Sequence, residues 1–149
     1  MTLQILNLAA PPSGHTPGWL TDEFKGVLNG FMVFSEDAEE PVLIPGNWNN
    51  ADITKAILES CVRTYNPAAQ PAPIKLTHDA HGPALGWVSA LRLAPFVPPG
   101  QTKPQPALWA KFEITPELRE AKKAYRLKSA ELWPPSHVNN PAPGQWSFK

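Results

Sequence analysis

The sequence predicts an α+β fold, a mainly antiparallel sheet flanked by helices, on three observations. Short apolar segments alternate with polar residues at period two, two capped stretches repeat their apolar residues at helical spacing, and nineteen prolines cluster between these segments. Proline removes a backbone donor and fixes φ, so Pro67 to Pro73, Pro95 to Pro106 and Pro134 to Pro143 read as connections between short strands. With 149 residues and 42% apolar content, the chain is expected to be one domain, 1–149.

Leu3-Gln4-Ile5-Leu6-Asn7-Leu8 alternates and predicts a strand with one buried face. Pro11 to Gly18 is a turn-rich connection in which His15 reads as an exposed loop histidine. Gly30 to Phe34 and Pro41 to Pro45 are short apolar runs, and Glu36-Asp37-Ala38-Glu39-Glu40 between them is expected to be a solvated loop. Asn49 to Asp52 offers N-cap side chains to a helix in which Ile53, Ile57, Leu58, Cys61, Val62 and Tyr65 recur at helical spacing. That helix stops before Pro67, because the residue preceding a proline is pushed out of the α region.

Ile74 to Asp79 and Gly86 to Leu93 predict the two strands of a hairpin. On the second, Trp87, Ser89, Leu91 and Leu93 share one face and Val88, Ala90 and Arg92 the other. The connection from Pro95 to Pro106 is long for a compact domain and is expected to be mobile or to cover a substrate groove. Ala107 to Ile114 alternates again. Thr115 then supplies an N-cap, with Pro116 at the first helical position and Glu117 in the first turn, and predicts a helix to Ala124. Leu127 to Trp133 reads as a strand, Pro134 to Gly144 as irregular, and Gln145 to Lys149 as the start of a further strand.

Thirteen basic and thirteen acidic residues cancel, so no net field draws the chain to nucleic acid or to an anionic membrane, and neither is an expected partner. No run approaches the ~20 apolar residues of a bilayer span, and the N-terminus lacks the basic-then-apolar order of a secretory signal. A cytoplasmic setting is expected. Cys61 is the single cysteine, which excludes an internal disulfide and a thiolate metal cluster; it falls within the predicted helix, and its thiol is expected to pack in the core.

A serine hydroxyl becomes a nucleophile when a histidine within hydrogen-bond reach takes its proton, and the two can come from any segments that fold together. His78 and Ser129, at the two ends of the central apolar block, form such a candidate pair. On a regular strand through Leu127, Ser129 and Glu131, the serine and the carboxylate share a face, which makes Glu131 a candidate orienting group; Asp79 points away from the side of His78. His78-Asp79-Ala80-His81 also offers metal-ligand types, though no recognised catalytic zinc spacing completes it. Trp87, Trp109 and Trp133 lie in strand-like segments, where packing is the expected role, and His137 lies in a solvated loop. The residues alone leave three readings open: a serine hydrolase, a metal-dependent hydrolase, and a domain in which His78 and Ser129 are incidental.

Five motifs in order narrow the choice. They are Leu-Thr-His-Asp at 76–79, Gly86-Trp87-Val88 with Leu91-Arg92, Leu108-Trp109-Ala110, Thr115-Pro116-Glu117, and Tyr125-Arg126 followed by Ser129-Ala130-Glu131-Leu132. Together they resemble the Mu-like phage protease and scaffold I protein family, the prohead maturation proteases, over about residues 25–149. That family is similar to the herpesvirus assemblin-type serine proteases. The resemblance implies a small β-barrel surrounded by two or three helices, with His78 as general base and Ser129 as nucleophile.

The third member varies in such proteases among histidine, glutamate and aspartate, and often follows the serine by several tens of residues. Here either Glu131 serves, or the group lies outside this chain, or the dyad works alone. The C-terminal scaffolding region of the family has no counterpart, so the chain is expected to be the protease part, with an incomplete barrel. The implied function is cleavage of scaffold and major capsid proteins, and of the chain itself, inside the assembling prohead in the bacterial host cytoplasm. It needs no cofactor and no metal and allows a homo-oligomer. The rival is a catalytically silent module that binds capsid or scaffold subunits.

Overall fold

Alternation in two long segments produces the longest ladder of the molecule, and the other strands are added to it. The computed structural model describes residues 3–6, 31–33, 38–48, 51–75, 84–97, 101–124 and 127–149. Along them the chain forms β1 (Leu3–Leu6), β2 (Phe31–Val33), β3 (Glu39–Leu43), β4 (Gly46–Trp48), β5 (Ala51–Ile53), α1 (Lys55–Thr64), β6 (Ala72–Lys75) and β7 (Gly86–Phe96). It continues through β8 (Gln105–Phe112), α2 (Pro116–Ala124), β9 (Leu127–Ala130), β10 (Leu132–Trp133) and β11 (Ser147–Phe148).

The main sheet has seven strands in the order β2-β9-β1-β6-β7-β8-β3. Every neighbouring pair is antiparallel except β1 and β6. The sheet curls until Cα atoms of β3, at one edge, lie within 8 Å of β9, next to the other edge. The class is therefore α+β, with a curled, half-barrel sheet and two helices. Among the described residues no ladder joins the two edge strands β2 and β3.

A bulge in β7 overturns the expected faces of that strand. Val88 pairs with Phe112, yet Ala90 pairs with Lys111, so Ser89 is an extra residue against β8. An extra residue resets the side-chain alternation and bends the strand. Gly86 and Val88 are buried before the bulge, and Leu91 and Leu93 pack against the same core after it. Trp87 stands on the opposite side and is 39% exposed. The long connection after Pro95 is also shorter than expected, since Pro95 pairs with Pro106 and Phe96 with Gln105.

Of the acidic stretch, Glu36 and Asp37 lie outside the described residues, and the remainder is not all solvated loop. Glu39 and Glu40 belong to β3, where alternation sends them to opposite sides. Glu40 sits across from Ala110 and is 1% exposed, whereas Glu39 points outward and accepts from Arg92, whose Nε lies 2.8 Å away. That hydrogen bond holds the Glu39 carboxyl below its usual range. Composition alone marks such a run as a loop; the ladder to β8 decides otherwise.

Helix α1 begins two residues later than its first apolar residue suggests. Asp52 and Ile53 lie in β5, and Thr54 is the N-cap, its hydroxyl accepting from Ile57 N at 3.3 Å. Leu58 and Cys61 are buried in the core, with Ile57, Val62 and Tyr65 packed at its margin. Thr115 caps α2 as expected, accepting from Leu118 N at 3.0 Å. Leu118 then reaches the strand at Gly86, where an added Cβ would stand 2.9 Å from the Glu113 carbonyl oxygen and 3.2 Å from Leu118 Cδ2, so only glycine admits this approach.

Tyr65 joins the helix to the sheet. Its hydroxyl donates to Val88 O at 2.5 Å and accepts from Ala72 N at 2.9 Å, which completes the β6–β7 ladder where its register ends. Tyr65→Phe leaves both backbone groups without that partner, and denaturant unfolding should show a loss of about 1–3 kcal/mol.

Burial pushes the Cys61 thiol from 9.0 up to about 12. A folded-state pKa above the unfolded one means that the unfolded chain gives up its proton first, so this stability is complete below pH 9 and is lost as pH rises toward 12. The loss is on the order of 4 kcal/mol over that window. Cys61→Ala should flatten the alkaline limb of a stability–pH profile; an unchanged limb would remove the thiol as its cause.

Candidate functional site

The candidate catalytic strand is β9, which lies inside the main sheet between β1 and β2. Ser129 pairs with Gln4 on one side and with Phe31 on the other, and Gln4 in turn pairs with Lys75 of β6. The sheet thus carries a row of paired positions, Phe31, Ser129, Gln4 and Lys75. Lys75 ends β6, and three residues later in the chain comes His78. His78, Asp79 and His81 lie outside the described residues, as does His15. The strand leading to the histidine therefore stands two places from the strand carrying the serine.

Glu131 is not on a strand continuous with Ser129. The expected strand from Leu127 to Trp133 divides there: β9 belongs to the main sheet, while β10 pairs with β11 in a separate two-stranded sheet. Alternation therefore stops short of Glu131 and does not set its direction. Its carboxylate lies 3.3 Å from Lys149 Nζ, and its carbonyl accepts from Lys149 N at 3.1 Å. A carboxylate held by an ammonium is a poorer partner for an imidazole, because exchange requires the ion pair to open.

Lys149 also covers Trp133, with Nζ 4.4 Å from the ring centroid, and the His137 ring packs at a tilt of 47° against the same indole, centroids 4.3 Å apart. His137 is exposed as expected, and its Nδ1 accepts from Asn139 N at 3.1 Å.

The irregular stretch between β10 and β11 is organised by one buried amide. Asn140 Nδ2 donates to Pro134 O at 3.0 Å and to Gln145 O at 2.7 Å, and its Oδ1 accepts from Ala142 N at 2.8 Å and Ser147 Oγ at 2.7 Å. Ser60 Oγ of α1 donates to Trp146 O at 2.7 Å, which ties β11 to the core beside Phe148. These bonds hold Lys149 where it meets Glu131.

Among the described residues, two clefts open elsewhere on the surface. One, of about 370 Å³, lies beside Trp87, Ser89 and Glu113 under Pro67 and Pro71. The other, of about 290 Å³, runs along Leu93, Pro95 and Pro106 near Lys55. The alternation of Gly86 to Leu93 pointed to Trp87 but set it beside Leu91 and Leu93, and the bulge separates them. Among the described residues no three metal-ligating side chains gather in one place, and no helix is long and apolar enough to cross a membrane. Scanned against protein-family models, curated proteins and solved structures, the chain matches none of them.

Because the Glu131–Lys149 pair is only half-buried, Glu131→Gln should change unfolding stability by less than about 1 kcal/mol. Asn140→Ala strands two backbone carbonyls and one amide, and should cost about 2–4 kcal/mol in denaturant unfolding, with amide exchange accelerated first in 134–147.

Proposed function

We propose that the chain is a prohead maturation serine endopeptidase that cleaves scaffold and major capsid proteins, and itself, during capsid assembly in the bacterial host cytoplasm. The observation that carries this reading is the ordered set of motifs from Leu76 to Leu132, in which His78 precedes Ser129 as in that protease family. Support from the fold is coarser: a curled, mostly antiparallel sheet with two helices suits an assemblin-like barrel, and β9 and β6 stand two places apart in it.

In this reading His78 takes the Ser129 proton as the hydroxyl oxygen attacks the scissile carbonyl. The tetrahedral adduct collapses to an acyl-enzyme as the protonated imidazole gives its proton to the leaving amine. A water molecule, deprotonated by His78, then releases the acid product and restores the serine. Nothing in this sequence needs a cofactor or metal. Since Lys149 holds Glu131, the chemistry falls to the His78–Ser129 pair in this reading. Glu131 joins it as orienting group only by exchanging Lys149 for the imidazole.

Ser129→Ala should abolish self-processing and cleavage of co-expressed scaffold protein, read by intact mass, while circular dichroism stays native. His78→Ala should lower the rate by at least about 10²–10⁴. Wild-type cleavage by the purified Ser129→Ala protein would end the protease reading; binding of capsid or scaffold protein without cleavage by either form would favour the silent assembly module.

A further inference from the structure

Trp87 and Glu113 are neighbours across the β7–β8 ladder, Glu113 N donating to Trp87 O at 2.9 Å. Directly opposite residues of antiparallel strands project to the same side, with Cβ atoms about 5 Å apart. Pro73 pairs with Trp87 from the other flank, opposite in direction to the buried Ala72 and Ile74. The exposed indole therefore has a carboxylate on one side and a proline on the other, and together with Pro67 and Pro71 it walls the cleft of about 370 Å³. Among the described residues Glu113 enters no ion pair. Lys111, two residues earlier, acts electrostatically on Glu39.

An indole face attracts a cation through its quadrupole, and a carboxylate beside it supplies the opposite charge. Among the described residues no lysine or arginine lines the cleft to compete. Register also relates it to Ser129. Trp87 pairs with Pro73, Lys75 lies two residues further along β6, and Lys75 joins Ser129 through Gln4. Three strand spacings and two residues of rise amount to roughly 16 Å, a span of about five extended residues.

We infer that the Trp87–Glu113 cleft is a subsite for a lysine or arginine side chain of the polypeptide substrate, about five residues from the cleaved bond. The substrate role rests on the protease reading; the chemistry of the cleft does not. A neutral side chain of equal length gains neither the cation–π contact nor the carboxylate, so the site selects for charge.

The test uses two peptides that differ only in carrying lysine or norleucine at one position. In the full chain with Ser129→Ala, the Trp87 indole N–H resonance is assigned by its disappearance in Trp87→Phe and followed during titration. The lysine peptide should shift it saturably and bind on the order of five- to tenfold more tightly than the norleucine peptide. Glu113→Gln should lower that ratio to about two, the share left by the cation–π contact with Trp87. Equal affinities, no shift, or a ratio unchanged by Glu113→Gln overturns the inference.

With the wild-type chain, the ratio of kcat/KM for lysine over norleucine should peak when the residue stands about five positions from the cleaved bond. Cleavage without the charge-dependent shift sinks the subsite alone. A charge-dependent shift with no cleavage of any peptide sinks the protease reading and leaves the cleft a docking site for a basic segment.

Discussion

The bulge at Ser89 is the constraint from which the arrangement of the sheet follows. One extra residue against β8 lets both halves of β7 send apolar side chains to the same core, Val88 before it and Leu91 and Leu93 after it. A regular strand would have put Leu91 and Leu93 beside Trp87 in solvent. The bend that accompanies a bulge also favours curling of the sheet, which brings β3 toward β9. Trp87 is left outward on the short segment before the bulge, and this creates the cleft it shares with Glu113.

Polar groups inside the molecule are placed as carefully as the apolar ones. Tyr65 extends the β6–β7 pairing with a side-chain hydroxyl where no further backbone partner follows, and Asn140 replaces a ladder in a stretch too rich in proline to form one. Each satisfies backbone groups that would cost free energy if desolvated alone. The core around Leu58, Cys61, Ile74, Leu108 and Phe148 is thereby closed by elements far apart in the chain, α1 against β11 at one side and α2 against Gly86 at another.

The candidate catalytic elements depend on this framework. β9 is held on both sides by backbone ladders, which would suit it to present the proposed nucleophile at a fixed position. Glu131 marks the point where the chain leaves that sheet for the β10–β11 hairpin, and its partner there is Lys149. The proposed basic-side-chain subsite lies on strands β7 and β8, so recognition and chemistry would occupy different parts of one sheet.

By itself the sequence determined those features that local chemistry controls. The Thr115-Pro116-Glu117 start of α2, the burial of Cys61 on an apolar helical stripe, the strand at Ser147–Phe148 and the alternation of β8 all follow from caps, periodicity and proline placement. Tertiary structure alone decided where alternation is interrupted. The extra residue at Ser89 and the break at Glu131 have no local signature, because each exists only relative to a partner strand distant in the chain. The same holds for Glu40, which reads as loop by composition and is buried because β8 sets its register, and for the meeting of Trp87 with Glu113, separated by the whole β7–β8 hairpin and joined by a ladder that no single segment contains.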